Sequence, residues 1–265
     1  TPPCYYGVPT GLETLDLLAG SWFFMVGGSN TWTLYESFGN QVDPFVYRFD
    51  GARGSDEPDF TDLIMERQAD GTYQQTHLSY QPTGTGNEDL EGAVPEYWAG
   101  AVRISYYHAR YYPNISAGMT KMQQGPNGWA GARRIVYAQA GHWYETNKDD
   151  RTEDHLPELV DFLAAHQAVC SGRDACFLSS VSCIELDWYT LHSWRKCNAA
   201  DQRFKGEIMG QIGPGGPYSS AFTFVETDTF VSQNWQEYPG HNTPQLALWT
   251  VWLMLNALPE ATRAF

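Results

Sequence analysis

The sequence predicts a mainly β fold: an antiparallel β-barrel with a helix after the barrel and a β-rich C-terminal extension. Three observations point there. Residues 21 to 144 hold several short apolar or alternating runs separated by Gly- and Pro-rich stretches. One later segment has helical spacing instead. Rings are abundant, with 10 Trp, 16 Tyr and 13 Phe in 265 residues, which suits a barrel with a ring-lined interior. The expected division is 1–170, the barrel with its helix, and 171–265, a Cys-containing loop and β-rich extension packed on the barrel.

The first strand is the apolar run of "GSWFFMVGG" at 20–28. "FVYRF" (45–49) and "TYQQTHLSY" (72–80) are weaker strands. "VRISYY" (102–107) alternates Val102, Ile104 and Tyr106 against Arg103, Ser105 and Tyr107, the period of a half-buried strand. "RRIVYAQ" and "HWYET" flank Ala140-Gly141 and predict a hairpin over 133–146. The polar stretches 50–59 and 81–92 are loops. "EDHLPELVDFLAAHQAV" (153–169) places Leu156, Leu159, Val160 and Leu163 on one helical face. Asp154 is its candidate N-cap, and Pro157 falls in the first turn, where proline is tolerated. Strands are then expected at "RFKGEIMGQI" (203–212) and "AFTFVETDTFVSQNW" (221–235), around a turn at "IGPGGP" (212–217). The apolar "LALWTVWLMLNAL" (246–258) reads as helical and too short to span a bilayer, which leaves a core helix, an interfacial segment or a docking surface for a membrane protein. About eight strands make a barrel with room for one small ligand.

The net charge of −15, with only 16 basic residues, disfavours a nucleic-acid partner, whose phosphates need Lys and Arg to neutralise them. The five cysteines, Cys4, Cys170, Cys176, Cys183 and Cys197, include no Cys-x-x-Cys pair, so a structural zinc is not expected. The last four lie within 28 residues, which suggests either a disulfide-stapled loop in an oxidising compartment or scattered buried thiols. The opening "TPPCYYG", without an initiator Met, is expected of a processed product.

Gly20-Ser21-Trp22 on the first strand, a long antiparallel run and a following helix resemble the pattern of lipocalins. "GPNGWAGARRIVYAQ" (125–139) resembles the Trp-containing Gly-rich loop and strand in the lipocalin domain of violaxanthin de-epoxidases. "LPELVDFLAAHQ" (156–167) is similar to that family's Pro-Glu-Leu helix, with Cys170 placed like the cysteine after it. The resemblance covers about residues 15 to 170. It implies a lipocalin-like barrel, a carotenoid or other pigment as ligand, and a place in the photosynthetic apparatus of the chloroplast thylakoid lumen. It also implies where the chain departs. The stretch matching the family's acid-catalysis Asp reads "SNTWTLYES", with Thr31, Trp32 and Thr33, and no carboxylate before Glu36. A Thr hydroxyl is too weak an acid to open an epoxide, so no catalytic residue is assigned.

Other chemistry is not indicated. There is no Gly-x-Ser-x-Gly elbow, His-Glu-x-x-His or phosphate-loop motif, and the seven histidines are dispersed. "NIS" (114–116) is a glycosylation sequon of the kind that often occurs by chance. The leading expectation is a non-catalytic binding protein, with Trp22, Phe24, Tyr35, Trp98, Tyr106, Trp129 and Tyr137 lining or closing the barrel around a hydrophobic molecule. The second is an accessory subunit docked on a membrane protein complex such as a photosystem. The third, implied by the resemblance, is an enzyme acting on an epoxy-carotenoid.

Overall fold

The computed structural model describes residues 10–42, 60–81, 100–124, 132–140, 143–144, 151–172, 174–180, 191–225, 250–251 and 254–257. Its strands are β1 (Ser21–Gly27), β2 (Phe60–Arg67), β3 (Tyr73–Gln81), β4 (Val102–His108), β5 (Arg133–Ala140), β6 (Ala175–Ser180) and β7 (Phe222–Phe224). They form one open sheet in the order β3-β2-β4-β1-β5-β6-β7. β1 pairs in parallel with both β4 and β5, β5 with β6 and β6 with β7, while the β2–β3 hairpin joins antiparallel to β4. The parallel part, β4-β1-β5-β6-β7, has the 2-1-3-4-5 order of doubly wound sheets.

β1 explains the architecture best. Every residue of Ser21–Gly27 is buried. A strand covered on both faces reads as a continuous apolar run, and that is the signature of a central parallel strand. Phe23 and Met25 point to one face, where they meet Leu34, Tyr35 and Phe38 of α2 (Ser29–Val42) and Leu15 and Leu18 of α1 (Gly11–Leu18). Trp22, Phe24 and Val26 point to the other. That layer is built by α3 (Tyr112–Gln124), α4 (His155–Cys170) and α5 (Leu191–Ile212). α1 opens on a capping box in which Thr10 Oγ1 accepts from the Glu13 N–H at 3.3 Å and Glu13 Oε2 accepts from the Thr10 N–H at 2.7 Å.

This architecture corrects the barrel. The sheet is open and mixed, mostly parallel, and helices cover both faces, so the fold is α/β and there is no lipocalin-like interior. The expected hairpin over 133–146 does not form: β5 runs parallel to both neighbours, and Trp143 and Tyr144 lie in a helical turn. Residues 203–212 are helix, not strand, and the β-rich extension gives way to α5, β6 and β7. Strands at 72–80 and 102–107, the helix over 153–169 and the turn at 212–217 match the structure. β4, however, is buried on both faces from Val102 to Tyr107. Asp154 makes no side-chain cap to α4 and instead ends a 3-10 turn, Thr152–Asp154. The "FVYRF" segment lies outside the described residues, as does most of 221–235.

Candidate functional site

The chain leaving β1 turns into α2 on one face of the sheet, whereas those leaving β4 and β5 lead to α3 and α4 on the other. Adjacent strands whose connections part in this way open a crevice beyond their carboxyl ends, where doubly wound sheets bind their ligands. Three segments meet there: Gly27-Gly28-Ser29 after β1, His108-Ala109-Arg110 after β4, and Trp143 after β5.

The Gly27-Gly28 turn is clamped from both sides. Tyr106 Oη donates to the Gly27 carbonyl at 3.1 Å, and the Ala109 N–H donates to the same oxygen at 2.9 Å. The Gly28 carbonyl accepts the N–H groups of Thr31 and Trp32 at 2.9 and 3.1 Å, which starts α2. Thr31 Oγ1 donates to Gln139 Oε1 at 3.1 Å, joining the helix to β5. There is no space for side chains here. A Cβ on Gly27 would run into the Thr31 hydroxyl and lie 2.8 Å from the Gln139 carbonyl oxygen. One on Gly28 would lie 2.8 Å from Trp143 Nε1.

Arg110 supplies the charge. It is exposed, its guanidinium carbon lies 4.3 Å from the Trp143 ring centroid, and its Nε donates to His108 Nε2 at 3.3 Å. It makes no ion pair with any described residue. By contrast, Arg67, Arg103, Arg134, Arg151 and Arg203 each pair with a carboxylate. An arginine held by an indole, beside a tight glycine turn and the positive end of a 14-residue helix, is suited to an oxyanion.

Directly beneath lies a buried polar layer. The Tyr112 N–H donates to Tyr144 Oη at 2.8 Å, and Tyr144 Oη donates to Glu158 Oε2 at 2.5 Å. Arg151 pairs with Glu158 and covers the Tyr111 ring at 4.3 Å. His155 Nδ1 meets Glu207 Oε2 at 2.6 Å, and its ring stacks on Phe204 at 4.0 Å between centroids. Burial pushes the Tyr112 and Tyr144 phenols well above the usual tyrosine range, with Glu158 adding to the effect at Tyr144. Burial also lowers His155 to about 4, against the opposing pull of Glu207.

A second buried constellation lies on the same sheet face. Asp62 accepts from Arg103 Nε at 2.8 and 3.1 Å and from Ser105 Oγ at 2.5 Å. Ser105 Oγ accepts from Trp22 Nε1 at 2.8 Å, and Arg103 covers the Trp22 ring at 3.7 Å. Asp62 and Ser105 are fully enclosed, so this network holds β2, β4 and β1 together and offers no access to a ligand.

The ring residues expected to line one interior are divided by the sheet. Trp22 and Phe24 are buried on the α3 side. Tyr35, Tyr106 and Tyr137 are buried on the α2 side, where Tyr35 stacks on Trp32 at 5.4 Å and lies 6.2 Å from Tyr106. They form two cores, and only Tyr106 reaches the crevice, through its hydroxyl. Trp98 and Trp129 lie outside the described residues. Glu36 sits half-buried on α2. Of the disulfide candidates, Cys170 and Cys176 are bonded to each other, joining the end of α4 to β6. Cys4, Cys183 and the side chain of Cys197 lie outside the described residues.

Among the described residues no group of three or more His, Cys, Asp or Glu side chains could hold a metal ion, and no helix is long and apolar enough to cross a membrane. No protein-family model matches the chain, and no curated protein is significantly similar to it. The crevice residues Gly27, Gly28, His108, Arg110 and Trp143 are not among the ring residues that the sequence singles out. Their signal was a Gly-Gly-Ser directly after a five-residue apolar run, which marks a strand-to-helix turn at the end of a buried parallel strand.

Proposed function

We propose that the protein binds a small phosphate ester in the crevice over β1. The observation that carries this reading is the parting of the connections after β1, β4 and β5, which brings the Gly27-Gly28 turn, Arg110 and Trp143 to one place. Arg110 supplies a fork of donors to the phosphate, the start of α2 adds its dipole, and Trp143 keeps the guanidinium in place. A ligand that binds only the folded chain raises its melting temperature as its concentration passes the dissociation constant. Thermal melts with inorganic phosphate, pyrophosphate and phenyl phosphate, each against chloride at equal ionic strength, test the proposal. A saturable rise with a phosphate, shifted to at least about tenfold higher concentration in Arg110→Gln, supports it; identical melts with and without phosphate in the native chain refute it.

A second reading follows the resemblance to violaxanthin de-epoxidases: a luminal protein of the photosynthetic apparatus that holds a hydrophobic pigment, docks on a photosystem or acts on an epoxy-carotenoid. The Cys170–Cys176 disulfide favours an oxidising compartment of that kind. With the rings divided between two cores, the pigment would need a surface site. Visible absorbance in the purified protein, or its recovery with a membrane complex, would support this reading; a colourless protein recovered alone would count against it.

A further inference from the structure

Two atoms in the layer beneath the crevice stand out. His155 and Tyr112 are fully enclosed, and neither His155 Nε2 nor Tyr112 Oη has a hydrogen-bond partner among the described residues. Their rings lie edge to face at 5.4 Å between centroids, where α3, α4 and α5 meet. Buried polar atoms are nearly always paired, with protein or with ordered water.

The two atoms have opposite needs. His155 Nδ1 lies 2.6 Å from the Glu207 carboxylate, so Nδ1 carries the proton. Burial keeps this imidazole neutral, which leaves Nε2 as a lone pair in need of a donor. Tyr112 Oη keeps its proton, because burial and the nearby Glu207 charge both oppose its loss, and so it needs an acceptor. The two are not bonded to each other. A molecule of water both accepts and donates, and a polar site with two to four partners is what an internal water requires.

We propose that one ordered water lies between Tyr112 and His155, accepting from Tyr112 Oη and donating to His155 Nε2. It ties the start of α3 to the α4–α5 pair directly under the loop that carries Arg110. This inference does not depend on the crevice binding phosphate.

Tyr112→Phe removes a single atom and gives the test its sign. If Tyr112 Oη is bare, deleting it relieves a buried unsatisfied hydroxyl, and the melting temperature stays level or rises. If it holds the water, the variant loses a hydrogen bond, and the melting temperature falls by about 2–4 °C. A crystal structure of the full chain gives the direct reading. Density for a water within hydrogen-bond reach of both atoms, and its loss in Tyr112→Phe, is the expected result. A variant as stable as the native chain, a wild-type site with no such density, or a direct Tyr112 Oη to His155 Nε2 contact would overturn the proposal.

Discussion

Arg110 lies with its guanidinium 4.3 Å from the ring centroid of Trp143, so a residue after β4 and a residue after β5 meet over the end of β1, the strand between them. With Nε engaged by His108, the contact leaves the two terminal NH2 groups of Arg110 available while the indole fixes the plane in which they lie. Hydrogen bonds to charged groups contribute about 1.5–3 kcal/mol. Arg110→Gln is therefore expected to weaken phosphate binding roughly 10- to 100-fold without a change in melting temperature. Trp143→Phe keeps a ring under the guanidinium and loses less than Trp143→Ala. Titration calorimetry on the three variants checks the order.

Gly27 and Gly28 give a second prediction, in which the two positions behave differently. A methyl on Gly27 meets the Thr31 hydroxyl and the Gln139 carbonyl, one of them backbone in a central strand. Gly27→Ala should cost about 1–3 kcal/mol, read from urea unfolding. A methyl on Gly28 meets only the Trp143 side chain, which can move. Gly28→Ala should leave stability nearly unchanged and disturb binding by displacing the platform of Arg110.

The pH dependence of stability follows from His155. Its folded-state value, about 4, lies below the ordinary histidine value of 6.5, so the unfolded chain takes up the proton first as pH falls. The stabilisation is complete above pH 6.5, declines as the pH falls to about 4, and then levels off. Its size is about 3 kcal/mol. His166, also lowered by burial, acts in the same direction. Urea unfolding at pH 7, 5.5 and 4.5 should show this decline. His155→Gln, which cannot take a proton, should flatten it.

Asp62 and Arg103 form an enclosed ion pair, and removing one partner leaves the other charge buried. Asp62→Asn should destabilise by about 3–5 kcal/mol. Asp62→Asn with Arg103→Met removes the stranded charge and should recover much of that loss. Comparing the single and double variants in urea separates the pair's value from the penalty of breaking it.

These sites differ in how far the sequence disclosed them. α4 was legible because its apolar residues keep a clean helical period outside any sheet context. The strands at 72–80 and 102–107 were legible because their runs are short and rich in β-formers. The helical period of α3, carried by Tyr112, Ile115, Met119 and Met122, was present but interrupted by Pro113, the 114–116 sequon and Gly118. α2 was hidden by β-branched and aromatic residues, Thr31, Trp32, Thr33 and Tyr35, whose local preference for strand was overridden by packing on β1 and β4. The open sheet was the harder inference. The apolar run Trp22–Val26 of β1 fits a barrel wall or a central parallel strand equally well until its neighbours are known. The Asp62–Arg103 ion pair and the His155–Glu207 hydrogen bond join residues 41 and 52 positions apart, which no local pattern reports.

The most direct test of the crevice is calorimetric titration of the native chain and Arg110→Gln with phenyl phosphate at low ionic strength. Saturable one-site binding to the native chain and at least a tenfold weaker affinity in the variant are expected. Equal affinity in the two proteins, or no saturable heat from the native chain, would contradict the proposed site.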